Sequence, residues 1–219
     1  MKFDFSFTLD ALPRLLEGAM ITVQVAVFSF VLSMMLATAI TVARNLEIKP
    51  INAVIAVYIS FIRGTPVLIQ IFLAYYVLPL VGIDLPAFSA GILAVTLNSA
   101  AYTTEILRGG LASVPKGQLE AARSLGLPSA AIWLKVILPQ AYIASIPPLV
   151  NEFTLVVKTT PLLAMITVVE LMRVSQQIFS SNYHPVEILI GAFAIYFVIC
   201  FIISRASVLV ERHFAPRRA

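Results

Sequence analysis

Charge is scarce in this chain. Of 219 residues only 12% are Asp, Glu, Lys or Arg, while 60% are hydrophobic; a soluble domain carries roughly twice that charged share. Cysteine is scarcer still. Cys200 stands alone, so no disulfide can close within the chain and no thiol pair exists for redox or metal chemistry. The two histidines, His184 and His213, flank the last apolar run on opposite sides. They supply neither a pair of metal ligands nor the Ser/His arrangement of an intramembrane hydrolase. The patterns G-x-x-x-x-G-K-[ST], H-E-x-x-H, G-x-S-x-G and C-x-x-C are all absent. That excludes a P-loop nucleotide site and argues against an enzyme. No metal and no cofactor is expected in the chain itself.

What is present is apolar length. Residues 18–43 carry no charge and end at Arg44 and Lys49. The run exceeds the roughly 20 residues that cross a bilayer, and it is too long for the core of a cleaved signal, with Asp4 and Asp10 ahead of it. Residues 51–62 are apolar but too few to cross. Arg63-Gly64-Thr65-Pro66 follows, where Pro66 disfavours helical geometry at Thr65. A second uncharged run covers 64–83. Residues 51–80 therefore read as one long element kinked at 64–66, with only its second half crossing. Arg63 either snorkels to headgroups or faces the protein interior.

The third span, 87–107, carries Asn98, Ser99, Thr103, Thr104 and Glu105 in its second half. An amide near mid-membrane is expensive, so Asn98 either serves a site or makes an interhelical hydrogen bond worth about 0.6–2 kcal/mol. Glu105 is one turn from Arg108 and can pair with it. The fourth span, 132–157, contains Pro139, Pro147 and Pro148, which predict bends. Glu152 lies about 26 Å beyond Lys135 along an unbroken helix, in the outer half of the bilayer. A charge at that depth is by default a functional-site candidate. The alternative is that Glu152 and Lys158 mark the outer interface or pair with each other. Residues 162–169 are too short to span and read as a partial helix, and 170–187 as a polar outer segment with His184 at an interface. The fifth span is 188–204. The fold expected is all-α, one membrane domain over 1–219 with five transmembrane helices.

Net charge is +4, but the basic residues gather at the ends of apolar runs, where they set orientation and do not indicate nucleic acid as a partner. With the C-terminus inside, Arg44, Lys49, Arg108, Lys116, Arg123, Lys135, Arg205, Arg212, Arg217 and Arg218 are cytosolic. Lys2, Arg14, Lys158 and Arg173 are then outside, as is the N-terminus. The bias toward the inside is clear. It puts the one long polar interruption, residues 113–128, in the cytosol. Pro115 at its start and Gly126 with Pro128 at its end bracket a short helix over 115–127. Ala121, Ala122 and Gly126 would let another surface come close to its backbone. It reads as a docking element.

The residues of this element carry a resemblance. Glu120-Ala121-Ala122, then Gly126 after three residues, then Val136-x-Leu138-Pro139 after nine more, resembles the E-A-A-x3-G-x9-I-x-L-P motif of the membrane subunits of ATP-binding-cassette importers. Val136 stands where Ile is usual. Ile62-Arg63-Gly64-Thr65-Pro66, Leu97-Asn98-Ser99-Ala100-Ala101-Tyr102, Ile137-Leu138-Pro139-Gln140-Ala141 and Asn151-Glu152-Phe153 are similar to the polar amino acid uptake branch of that family, of the type I importer fold. The likeness covers almost the whole chain.

The resemblance implies a permease in a bacterial inner membrane, paired with an identical or homologous second permease. Two cytosolic ATPase subunits would bind ATP and Mg, and an extracytoplasmic amino acid-binding protein would deliver substrate. Glu120, Ala121, Ala122 and Gly126 would couple to the ATPase. Asn98, Glu152, Lys158 and Thr159 fall where relatives hold an amino acid. Lys158 would meet the carboxylate, Asn98 and Thr159 would supply hydrogen bonds, and Glu152 would meet an ammonium or cationic side chain. An acid at 152 leans the substrate toward basic amino acids or histidine. Two other classes are a scaffolding or gating membrane subunit and a stand-alone secondary transporter or channel. The docking helix and the missing P-loop separate the importer subunit from the stand-alone transporter.

Overall fold

Inside and outside are reversed on the first helix, α1 (Ser6–Arg44). Apart from Leu15 and Val25, the side chains it buries are small or hydroxylated, among them Thr22, Ala26, Ser29, Ser33 and Ala37, while Met20, Val27, Phe28, Val31 and Met35 are exposed. In hydrocarbon the burial of oil gains nothing between helices, so contact faces use small residues that let backbones approach. The fourth helix, α4 (Ala87–Ala112), likewise buries Ala90, Gly91, Ala94, Ala100 and Ala101, and the two helices pack along their length as the centre of the fold. The computed structural model describes residues 4–214, all of them helix or connecting turn; Lys2, Arg217 and Arg218 lie outside the described residues.

The segment expected to be one kinked element is two helices. α2 (Lys49–Gly64) stops at Thr65, which is fully extended at φ −123° and ψ 146°. The chain restarts as Val67–Val81, bent 110° from α2. Pro66 does both jobs, holding Thr65 out of the helix and opening the next one. That second piece begins as α3 (Val67–Phe72), widens into a π-turn over Leu73–Val77 and tightens into a 3-10 turn over Leu78–Val81. The π-turn closes with the Leu78 N–H on the Leu73 carbonyl, directly before Pro79. The same device recurs at Trp133–Ile137, where the Leu138 N–H reaches the Trp133 carbonyl directly before Pro139. A proline ring crowds the carbonyl four residues back, and an i→i+5 turn makes room for it. The bends foreseen at Pro147 and Pro148 are absorbed differently, since α7 (Leu138–Thr159) runs through both as helix.

Between α4 and α7 lie α5 (Lys116–Ser124) and the single turn α6 (Ser129–Ile132). After α7 the chain makes a 3-10 turn over Thr160–Ile166. The expected polar outer segment is then a folded helix, α8 (Leu171–Asn182), packed on α1 and on the last helix, α9 (Pro185–Phe214). Its polar residues do not keep it apart from the bundle, because Leu171, Val174 and Ile178 fall on one face and are buried there. His184 stacks on Phe7 at 3.7 Å between ring centres. By length and composition three helices can cross a membrane, Ser6–Arg44, Ser129–Ile166 and Pro185–Ala206, and the bent pair gives a fourth. α4 has 26 residues but is diluted by the polar residues of its second half.

Candidate functional site

Polar groups converge on the second half of α4. Ser99 Oγ donates to Glu152 Oε1 of α7 at 2.8 Å, and Glu152 is 6% exposed. One residue earlier, the half-buried Asn98 donates through Nδ2 to Gln70 Oε1 of α3 at 2.9 Å. Tyr58 of α2 donates to the Leu97 carbonyl at 2.6 Å, and the Arg63 guanidinium sits 5.7 Å from the centre of the Tyr102 ring. At the far end of α4, Glu105 binds both Arg108 at 2.8 Å and Arg44 of α1 at 2.9 Å. The expected Glu105–Arg108 pair is thus one half of a three-residue bridge.

The four residues assigned to substrate by resemblance divide into two groups. Asn98 and Glu152 share the α4 region just described. Thr159, seven residues beyond Glu152, falls on the same face of α7 roughly 10 Å further along the axis. Its hydroxyl donates to the Leu155 carbonyl of its own helix. Lys158 lies about 120° around the helix from Glu152. It lines a groove of about 780 Å³ between α7 and α9, with Asn151, Thr154, Phe193, Tyr196 and Phe197. Glu152 and Lys158 do not pair with each other, and Lys158 makes no ion pair among the described residues.

The segment expected to dock holds the helix α5, Lys116–Ser124, shorter than the expected 115–127. Glu120, Ala121 and Gly126 are exposed, whereas Ala122 is buried beneath the helix. Gly126 adopts φ +70°, and nothing in the chain lies within 4 Å of where its Cβ would be. Its N–H reaches the Arg123 carbonyl and the Leu127 N–H reaches the Ala122 carbonyl. That is a Schellman cap, which calls for glycine at the left-handed position. Gly126 therefore ends α5 first, and any close approach of a partner comes second. The helix is joined to the bundle through a tight crossing nearby. A Cβ on Gly110 of α4 would collide with Ser145 Oγ and stand 2.5 Å from the Ala141 carbonyl oxygen of α7.

One carboxylate escaped the sequence reading. Glu170 is fully buried and caps α8, accepting from the N–H groups of Met172 at 3.0 Å and Arg173 at 2.8 Å. It also accepts from Tyr196 Oη of α9 at 2.7 Å and from Thr22 Oγ1 of α1 at 3.5 Å. Glutamate is not among the usual N-cap residues, Ser, Thr, Asp and Asn, so the local pattern at Glu170-Leu171 does not announce this role.

Comparison with known proteins gives a consistent set of likenesses. The family model for binding-protein-dependent transport system inner membrane components matches residues 29–217. The L-cystine transport system permease protein TcyB of Bacillus subtilis is 39% identical over 201 residues, covering 91% of this chain and 86% of that protein. The arginine transport system permease protein ArtQ of the same organism is 35% identical, covering 97% of each chain. A solved amino acid ABC transporter with histidines superposes with a TM-score of 0.91 at 37% identity, over 97% of this chain. The methionine transporter MetNI, at 18% identity and a TM-score of 0.72, shares the fold.

Proposed function

This chain belongs to the family of binding-protein-dependent transport system inner membrane components, and from that premise we propose that it is the permease subunit of an ATP-driven importer of a polar amino acid. The observation that carries this reading is mechanical. α4 and α7 are joined at Ser99–Glu152, cross tightly at Gly110, and have the exposed α5 slung between them. A push on α5 therefore tilts the two helices that bear Asn98 and Glu152.

In this reading α5 faces the cytosol and the N-terminus lies outside, as the distribution of Lys and Arg favours. The sequence carries no P-loop pattern; in this reading two ATPase subunits bind ATP and Mg and drive α5, and a second permease completes the path across the bilayer. An extracytoplasmic binding protein loads it. Glu152 meets the ammonium or cationic side chain of the substrate, Lys158 its carboxylate, and Asn98 and Thr159 add hydrogen bonds. Support for a basic substrate comes from Glu152, a buried carboxylate with no cation beside it among the described residues.

The test is uptake by the complete transporter in proteoliposomes, with radiolabelled arginine, histidine, glutamine and L-cystine as probes. ATP-dependent uptake that stops when the partner ATPase is inactivated by mutation is the expected result. Uptake persisting with the inactive ATPase would overturn the reading.

A further inference from the structure

We infer that Gln70 is a positioning residue for the substrate site: it fixes the amide of Asn98 so that its carbonyl oxygen is left to accept from a cationic group, and it ties that amide to the break between α2 and α3. The inference rests on the proposed role of Asn98 at the site.

Gln70 is 7% exposed and is the only amide on α3. Its Nε2 donates to the Ile62 carbonyl at 2.8 Å, to Thr65 Oγ1 at 2.9 Å and to the Thr65 carbonyl at 3.2 Å. An amide nitrogen has two hydrogens, so one of them is shared. Thr65 Oγ1 spends its own hydrogen on the Phe61 carbonyl at 2.8 Å and can only accept from Gln70. The other two partners are carbonyls at the end of α2, which the break strips of helical donors. Every partner on this side is thus an acceptor, and the Gln70 amide has one admissible orientation. Its Oε1 must face α4.

That orientation dictates the next one. Facing an oxygen, Asn98 must turn its Nδ2 toward Gln70, as observed at 2.9 Å. A reversed amide would set two carbonyl oxygens against each other. Asn98 Oδ1 makes no hydrogen bond among the described residues and is left as an acceptor. The adjoining residue, Ser99, directs its hydroxyl at Glu152. Asn98 Oδ1, on the side of α4 toward α3, and Glu152, on the side toward α7, are therefore the two groups that α4 leaves to meet a ligand. Both accept, and neither suits the carboxylate of an amino acid. The cationic end of the substrate belongs here, while Lys158 lies around the helix from it.

The experiment uses the complete transporter in proteoliposomes and radiolabelled arginine. Half-saturating concentration and maximal rate are read for Asn98→Ala, Gln70→Leu, Gln70→Glu and the Asn98→Ala/Gln70→Leu pair. Loss of a hydrogen bond to a charged group is worth about tenfold or more. Asn98→Ala and Gln70→Leu are each expected to raise the half-saturating concentration by about that factor, and the pair by no more than Asn98→Ala alone. Buried among carbonyls, the acid of Gln70→Glu is held protonated; it donates its one O–H to a partner on α2 and keeps an acceptor for Asn98 Nδ2, so it is expected to hold the half-saturating concentration within about twofold while lowering the maximal rate. If Asn98→Ala leaves the half-saturating concentration unchanged, the assignment of Asn98 fails and the inference with it. If Asn98→Ala acts but Gln70→Leu lowers only the maximal rate, or the two effects multiply, the positioning role of Gln70 is overturned alone. Should Gln70→Leu not assemble, Gln70→Glu decides: a half-saturating concentration raised as far as in Asn98→Ala overturns the inference.

Discussion

Ser99 Oγ and Glu152 Oε1, 2.8 Å apart, form the hydrogen bond that joins α4 to α7 in the polar half of the bundle. Both residues are buried, and this hydroxyl is the one donor to the carboxylate among the described residues. A buried charge with so little compensation is costly unless something else arrives to meet it. Glu152→Gln is expected to reduce uptake of arginine relative to glutamine by about tenfold, read by competition between the two in proteoliposomes. A profile unchanged across acidic, neutral and basic amino acids would remove Glu152 from the site.

Gly126 holds φ +70°, a conformation that costs an ordinary residue about 1–2 kcal/mol. Gly126→Asp is expected to leave membrane insertion and yield intact and to abolish substrate-stimulated ATP hydrolysis in the assembled complex. Gly126→Asn, which tolerates this conformation better, should retain a measurable part of the stimulation. Normal stimulation in the Asp variant would refute α5 as the docking helix.

Gly110 is required by approach, not by φ. Gly110→Val sets a side chain against Ser145 Oγ and the Ala141 carbonyl, and overpacking of this kind costs about 1–3 kcal/mol. The expected result is a lower melting temperature of the purified complex and weaker coupling of ATP hydrolysis to transport. Adding Ser145→Gly should recover part of both, because it removes one of the two collisions.

Glu170 joins α8 to α1 and α9. Glu170→Ala removes a helix cap and leaves the hydroxyl of the half-buried Tyr196 without its acceptor, a combined cost of about 2–4 kcal/mol. A drop of roughly 4–16 °C in melting temperature is expected for a chain of this size. Glu170→Gln, which keeps an acceptor oxygen, should lose less.

By itself the sequence determined the class of protein and the sites of its punctuation. Low charge and long apolar runs leave only a membrane bundle, because such runs have no stable place in water. Pro66 disfavours helical geometry at Thr65, and Gly126 with its neighbours spells a cap that local backbone geometry imposes. Partnerships across the bundle were not legible. Nothing near Gln70 in the sequence signals that it will turn back onto Ile62 and Thr65 and reach Asn98, and nothing near Lys158 says that it will face α9 and not Glu152. Those choices follow from the 110° turn at Thr65 and from the rotation of α7 against α4. In a membrane bundle nearly every face is apolar, so hydrophobic periodicity carries little information about which face meets which neighbour. Small residues and a few hydrogen bonds decide it, and they act only once the helices are side by side.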